Sequence, residues 1–247
     1  FAPALAMALG WRNVLGLATL PLIGVFALFA FTARNSPRHP ARKTLADYAR
    51  LLKRADSWWL MFFYGVSFGG FVGLSSFLPI YFHDQYHLAP VKAGYFTAAC
   101  VFAGSFARPF GGLLADRIGG TRALTAAYAI ITLVLVTASE SILPAPAALA
   151  VLIIGMATLG MGNGAVFQLV PQRFRDDVGL MTGLVGMSGG VGGFYLAASL
   201  GYARQFTGSY APGFMVFAAL ALLAWAGIVT VRHGWRREAS GPALVRI

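Results

Sequence analysis

Long apolar stretches recur along this chain and constrain its fold more than any other feature. A bilayer core about 30 Å thick is crossed by roughly 20 apolar residues in a helix. Of the 247 residues, 58% are hydrophobic and only 11% are charged. The sequence therefore predicts an all-α membrane protein with seven complete transmembrane helices. The expected spans are 13–33, 57–82, 93–114, 123–143, 147–171, 180–201 and 213–231.

Basic residues are concentrated in every second connection between these spans. They number seven in 34–56, one in 83–92, two in 115–122, none in 144–146, two in 172–179, one in 202–212 and four in 232–247. This alternation follows the positive-inside rule, which predicts that the basic connections and the C-terminal tail are cytoplasmic. The net charge of +11 then reflects membrane topology, and the expected partner is the lipid bilayer rather than a nucleic acid.

The first residues resemble the end of a helix. Residues 1–9 are apolar and precede a short turn at Gly10, and the number of complete spans is odd. We therefore expect the sequence to be a fragment of a longer membrane protein. The basic connection 34–56 reads as a charged linker, with a possible amphipathic helix over 44–54.

One arginine lies inside an apolar span. Residues 93–114 contain no other charge, and Arg108 is six residues before their end. An intramembrane guanidinium costs at least ~2.5–3.5 kcal/mol on insertion scales and by default marks a substrate or ion path. The alternative is that it snorkels to the interface or pairs with a neighbouring helix. At 100° per residue, this span has a face of small residues and an opposite face of bulky ones. The first face carries Thr97, Cys100, Gly104, Arg108 and Gly111. The opposite face carries Tyr95, Phe102, Phe106, Phe110 and Leu113.

Two later spans are rich in glycine. In 147–171, Asn163 lies among Gly155, Gly160, Gly162 and Gly164, and Gln168 follows. The two amides can form interhelical hydrogen bonds or bind a ligand. In 180–201 a stripe of small residues indicates close helix packing, and it also leaves the backbone open to a small ligand. The stripe consists of Gly179, Gly183, Gly186, Gly190 and Gly193.

Other side chains form weaker patterns. Tyr64, Phe68, Phe71 and Ser75 share one helix face, which fits either packing or a substrate surface. At the turn after the arginine span, Asp116, Arg117 and Arg122 form a charge cluster that is a candidate conformational latch. His83 and His87 have helical metal-ligand spacing without a convincing third ligand. We expect no metal, no cofactor and no disulfide, and no enzyme site is recognisable.

Three sequence segments resemble a known family. GGLLADRIGGTR resembles the loop between helices eight and nine of the major facilitator superfamily. GMGNGAVFQLVPQRF and VGLMTGLVGMSGGVGGF are similar to helices ten and eleven of its nitrate/nitrite porters. The resemblance implies a twelve-helix transporter with pseudo-twofold halves. Residues 1–33 would be the end of helix five and helix six, 34–56 the cytoplasmic linker, 57–231 the six-helix C-terminal half and 232–247 the tail.

The resemblance also implies roles for particular residues. Arg108 matches the anion-binding arginine of helix eight, and Tyr64 and Phe68 match the aromatic residues around the planar substrate. Other matches are Asn163 in the small-residue motif of helix ten, and Gly183, Gly186, Gly190 and Gly193 in the glycine signature of helix eleven. The matching arginine of helix two and the paired signature of helix five are expected in a missing N-terminal half.

The implied function is transport of nitrate and nitrite by alternating access across the bacterial cytoplasmic (inner) membrane. All eight acidic residues lie in connections, tails or near span ends. The absence of a carboxylate inside a span favours nitrate/nitrite exchange over proton coupling. The alternatives are a proton-coupled nitrate importer, a transporter of another small anion, a drug exporter, and a non-transporting sensor or remnant.

Overall fold

The computed structural model describes residues 2–34, 43–140 and 142–239, and it describes side chains from residue 4 to residue 235 within those ranges. Phe1, the linker residues 35–42 and the tail residues 240–247 lie outside the described residues. The sequence-based predictions for those parts of the linker and tail therefore remain expectations.

Helices make up nearly all of the described chain. Seven of them are long and apolar enough to cross a membrane, which confirms the predicted number of spans. The two short helices are α1 and α3. In chain order the helices are α1 (Ala2–Leu9), α2 (Trp11–Thr32), α3 (Leu45–Leu52), α4 (Ala55–Tyr86), α5 (Pro90–Ile118), α6 (Gly120–Ser139), α7 (Ala145–Arg173), α8 (Val178–Thr207) and α9 (Ala211–Ala239).

Most helices extend beyond the spans predicted from hydropathy. Hydropathy marks the part that lies in lipid, whereas backbone hydrogen bonds continue into the polar interface. The exception is α6, which ends at Ser139 instead of residue 143. Pro144 precedes α7 and Pro146 occupies its first turn, and the residue before a proline disfavours helical backbone.

The helices α4 to α9 pack as one bundle in which α5 lies along α7, α4 along α8 and α6 along α9. The buried hydrophobic side chains form one core cluster, whose members range along the chain from Leu51 to Trp235. The α2 helix has no buried residue, and α1 contacts α5. The bundle thus brings α4, α5, α7 and α8 together in its interior.

Glycines allow two of these helix pairs to approach closely. A Cβ at Gly69 of α4 would lie 2.7 Å from the Gly192 Cα of α8. A Cβ at Gly104 of α5 would lie 2.6 Å from the Met156 carbonyl oxygen of α7. Real Cβ atoms do not approach backbone this closely, so only glycine permits these backbone contacts.

The end of the bundle formed by α3, the start of α4, the turn 118–120, the connection 174–177 and the end of α9 is called the basic end here. At this end the Asp56 carboxylate accepts hydrogen bonds from Arg173 Nε at 3.1 Å and from Trp235 Nε1 at 2.9 Å. Asp56 therefore ties α4 to α7 and α9.

A second carboxylate at the basic end holds the short helix α3. Asp177 pairs with Lys43 Nζ at 3.0 Å and with Arg50 at 3.1 Å. The Thr44 backbone N–H and hydroxyl donate to Asp47, which caps α3 and holds the pKa of the Asp47 carboxyl below its usual value. The predicted amphipathic helix is thus present, over 45–52.

At the opposite end, Tyr210 donates its hydroxyl to Asp84 Oδ2 at 2.9 Å, which ties α9 to α4. Burial, together with this hydrogen bond, raises the pKa of Tyr210 to about 12, so the phenol remains a donor at neutral pH. His83 shares a hydrogen bond of 2.7 Å with the Leu88 carbonyl, and His87 adopts a left-handed backbone. Both histidines lie where α4 ends.

Candidate functional site

Arg108 lies in the second half of α5, where Pro109 interrupts the helical hydrogen bonding. Its side chain is half-buried. The helix faces are as the periodicity predicts, because the small residues around it are buried and the bulky ones are exposed. The buried residues are Thr97, Cys100, Gly104 and Gly111, and the exposed ones are Tyr95, Phe102, Phe106, Phe110 and Leu113.

Among the described residues, aromatic rings and not a carboxylate contact the Arg108 guanidinium. Its Cζ lies 4.5 Å from the Phe71 ring centroid and 5.3 Å from that of Phe68. Its Nε is buried and has no hydrogen-bond partner among the described residues. Rings attract the cation through their quadrupole but accept no strong hydrogen bond. The guanidinium therefore keeps donors free for an anion.

The ring of Phe68 belongs to a larger aromatic wall. Tyr64 stacks on Phe68 with centroids 5.0 Å apart and an interplanar angle of 6°. Phe167 of α7 meets Tyr64 edge-on at 4.8 Å. The structure thus places the predicted residues Tyr64 and Phe68 beside Arg108.

A glycine of α8 closes the back of this wall. A Cβ at Gly189 would lie 2.6 Å from Phe68 Cδ1 and 2.7 Å from Tyr64 Cε1. The absence of a side chain at Gly189 therefore lets α8 support both rings. The sequence analysis did not select Gly189 or Phe167, because nothing in their local patterns indicates which helix they face.

Asn163 lies in α7 next to Gly164, and a Cβ at Gly164 would lie 2.7 Å from the Gly112 backbone nitrogen of α5. Its side chain is only 3% exposed, and both amide atoms lack a hydrogen-bond partner among the described residues. Gln168 Oε1 is also buried without a partner there. Asn163 thus forms no interhelical hydrogen bond in this part of the chain.

The predicted glycine stripe divides into two parts. Gly183, Gly186 and Gly190 are exposed, and a Cβ at each would have no atom within 4 Å. Gly193 packs inward, where a Cβ would lie 2.9 Å from Val72 Cγ1. Within the described residues, the close approach of α8 to α4 depends on Gly189 and Gly192 instead. Gly179 is likewise exposed, with no atom within 4 Å of an added Cβ, and the exposed glycines form a bare surface on α8.

Asp116, Arg117 and Arg122 are exposed at the basic end. None of them takes part in the ion pairs found in the described ranges, which involve only Asp47, Asp56 and Asp177 as acids. The charge clusters that join helices in this state are therefore those of Asp56 and Asp177. The sequence analysis missed these pairs, because their partners lie more than 100 positions away.

Comparison with known proteins agrees with this fold. The major facilitator superfamily model matches residues 1–197. The fold is similar to that of the fucose:proton symporter FucP of E. coli, with a TM-score of 0.71 and 15% sequence identity over 93% of this chain and 58% of that one.

Three curated relatives are named as nitrate or nitrite transporters. The nitrite extrusion protein of Bacillus subtilis is 32% identical over 92% of this chain and 58% of its own length. The probable nitrate transporter NarT of Staphylococcus carnosus is 33% identical over 94% and 59%. The probable nitrate/nitrite antiporter NarK1 of Thermus thermophilus is 33% identical over 87% and 53%. The chain spans less than two thirds of the length of each.

The seven long apolar helices define a polytopic membrane protein. The chain belongs to the major facilitator superfamily. Within it, the resemblance to the nitrate/nitrite porters is confirmed by these relatives.

Proposed function

We propose that the protein containing this chain transports nitrate and nitrite by alternating access and exchanges one anion for the other. The observation that carries the proposal is the half-buried Arg108, whose buried Nε has no hydrogen-bond partner among the described residues. A guanidinium presents a planar donor fork that matches the oxygens of a planar anion. Bound anion would supply the acceptor that Arg108 lacks.

The aromatic wall supports a planar substrate. Tyr64 and Phe68 are parallel and stacked within the bundle next to Arg108. Flat apolar faces restrict the orientation of a small ion and exclude water, which strengthens its attraction to the guanidinium. Asn163 of α7 is a candidate for a further donor, because its amide is buried and unpaired among the described residues.

The positions of the acidic residues support exchange rather than proton coupling. Within the described side chains, carboxylates lie in connections or in terminal turns of helices, such as Asp56, Asp84 and Asp116. A proton carrier inside the membrane is usually a buried acidic or histidine side chain. In an exchanger, either anion would neutralise Arg108 before the helices move.

In the proposed protein, residues 1–33 belong to the N-terminal half and residues 57–231 form the C-terminal half, with the linker 34–56 between them. The basic end would face the cytoplasm of a bacterium, in accordance with the distribution of basic residues. A matching N-terminal half would supply the other wall of the site, opposite Arg108 and the exposed glycines Gly183, Gly186 and Gly190.

The test is reconstitution of the full-length protein in liposomes loaded with nitrite. Entry of labelled nitrate is followed with and without a proton gradient. Entry driven by internal nitrite alone is the expected result. Entry that requires the proton gradient would contradict exchange and indicate a proton-coupled importer. No entry under either condition, in folded protein, would contradict nitrate as substrate.

A further inference from the structure

The helices α6 and α9 are antiparallel and closely packed. At the end opposite the basic end, the Ser139 hydroxyl contacts the Met215 sulfur at 3.3 Å. Both helices rise about 1.5 Å per residue. Arg122 precedes Ser139 in α6 by as many residues as Arg232 follows Met215 in α9. The two arginines therefore lie at about the same level along the two helices. Small buried residues lie on both helices between these levels. They are Ala123, Ala127, Ala138, Ala218, Ala221 and Ala224.

Arg232 lies on the side of α9 that carries the buried residues Ile228 and Trp235. Its Nε is buried and has no hydrogen-bond partner in the described part of the chain. A buried donor of a charged group is destabilising unless it finds an acceptor. Arg232 therefore needs an acceptor that the described residues do not supply.

Two carboxylates at the basic end are already paired, whereas Asp116 is exposed and forms no ion pair with a described residue. Asp56 is paired with Arg173 and Arg54, and Asp177 with Lys43 and Arg50. Arg122 is exposed and, like Arg232, forms no ion pair with a described residue. Two cations thus lie at about one level of the α6–α9 seam, and neither forms an ion pair with a described residue.

The surface beyond this level is apolar. Exposed side chains along α6 and α9 include Ile130, Leu133 and Leu222. Apolar side chains below a pair of arginines are the arrangement expected where acyl chains meet lipid headgroups. Anionic headgroups attract basic residues at this depth.

We propose that Arg122 and Arg232 bind the phosphate of an anionic phospholipid headgroup at the basic end of the α6–α9 seam. Guanidinium groups donate two hydrogen bonds to phosphate oxygens in a fixed geometry. The phosphate supplies the acceptor missing at Arg232 Nε, and the acyl chains lie along the exposed apolar side chains. This site is separate from Arg108, and it does not depend on which anion is transported.

The test uses native mass spectrometry of the full-length protein with phosphatidylglycerol, phosphatidylcholine or inorganic phosphate. Wild type is expected to retain phosphatidylglycerol, and Arg122→Gln with Arg232→Gln to retain about tenfold less, a loss of about 1.4 kcal/mol. The matched control is Arg117→Gln with Arg175→Gln, which removes two exposed charges elsewhere at the basic end.

Equal retention by wild type and the double variant would overturn the proposal. So would an equal loss in the control, which would indicate general surface attraction. Binding of inorganic phosphate without preference for phosphatidylglycerol over phosphatidylcholine would overturn the assignment to lipid. If the double variant does not fold, Arg232→Lys is tested instead. Lysine keeps the positive charge but lacks the planar pair of guanidinium donors. A lysine variant that retains lipid as wild type does would overturn the proposal.

Discussion

At the scale of single residues, Arg108 is a cation with aromatic neighbours and no ion pair to a described residue. Its two ring contacts come from residues three apart on α4, Phe68 and Phe71. The rings stabilise the charge in the absence of substrate without occupying the hydrogen-bond donors. This arrangement separates two tasks, because the rings hold the guanidinium and its N–H groups remain available for the anion.

Replacement of Arg108 by lysine is expected to reduce nitrate entry at low nitrate by about tenfold or more. Lysine keeps the charge but provides a point donor instead of a planar fork, and each tenfold loss corresponds to about 1.4 kcal/mol. The measurement is initial uptake into proteoliposomes. Arg12→Lys is the control, since Arg12 is exposed on α2. Wild-type uptake by Arg108→Lys would contradict the assignment of the site.

Replacement of Phe71 by leucine is expected to raise the KM for nitrate about two- to thirtyfold, with a smaller change in the maximal rate. The variant loses a cation–π contact of ~0.5–2 kcal/mol and leaves Arg108 less well positioned. The control is Phe102→Leu, because the Phe102 side chain is 56% exposed on the opposite face of α5. A similar KM change in both variants would show that the effect is not specific to the ring under Arg108.

At the scale of helices, glycines determine which pairs pack most closely. Gly69 and Gly192 bring the backbones of α4 and α8 together, and Gly104 admits the Met156 carbonyl of α7. Both contacts adjoin the residues around Arg108. The packing that holds the bundle together therefore also fixes the spacing of the aromatic wall.

Gly69→Ala is expected to lower the melting temperature of the purified protein by several degrees, whereas Gly179→Ala is expected to leave it unchanged. The new methyl group at position 69 would lie 2.7 Å from the backbone of Gly192, which has no side chain to move aside. At Gly179 no atom lies within 4 Å of the added carbon. Equal melting temperatures for Gly69→Ala and wild type would show that the two helices can separate without cost.

Asp177→Asn is expected to release α3 from the bundle. The asparagine cannot form the charged contacts that Asp177 makes with Lys43 and Arg50. A spin label attached through Leu45→Cys, in a Cys100→Ala background, should become more mobile. Asp176→Asn is the matched control, because Asp176 is exposed and forms none of the ion pairs in the described ranges. Unchanged label mobility in Asp177→Asn would show that other contacts hold α3.

The local features were predictable from sequence and the interhelical ones were not. Hydropathy located all seven membrane helices, and the 3.6-residue period placed Arg108 on the small-residue face of α5. The same period could not show that α8 packs through Gly189 and Gly192 while Gly183 faces outward. That depends on which helices are neighbours, and such contacts join residues far apart in the chain.

At the scale of the whole molecule, the bundle has one side of α8 that no described residue covers. Gly183, Gly186 and Gly190 lie on it without a neighbour. In an alternating-access transporter, a surface that lines the path between two halves is exposed in one state and covered in the other. The bare face of α8 is the part of this chain that best fits such a surface.

Gly186→Cys, in a Cys100→Ala background, is therefore expected to react with a membrane-impermeant maleimide at a rate that saturating nitrate changes severalfold. The control is Leu133→Cys, on the exposed apolar side of α6. The measurement is labelling of the full-length protein in membrane vesicles of both orientations. A rate at Gly186→Cys that nitrate leaves unaltered would contradict a role for this face in the transport cycle.

The polar contacts at the two ends of α4 have a mechanical consequence. Asp56 joins the first turn of α4 to α7 and α9, and Asp84 joins its last turn to the residue that precedes α9. A helix that is held at both ends tilts as a whole instead of bending. A tilt of α4 that starts at either membrane surface therefore also moves Tyr64 and Phe68. The aromatic wall beside the anion then rotates together with the bundle.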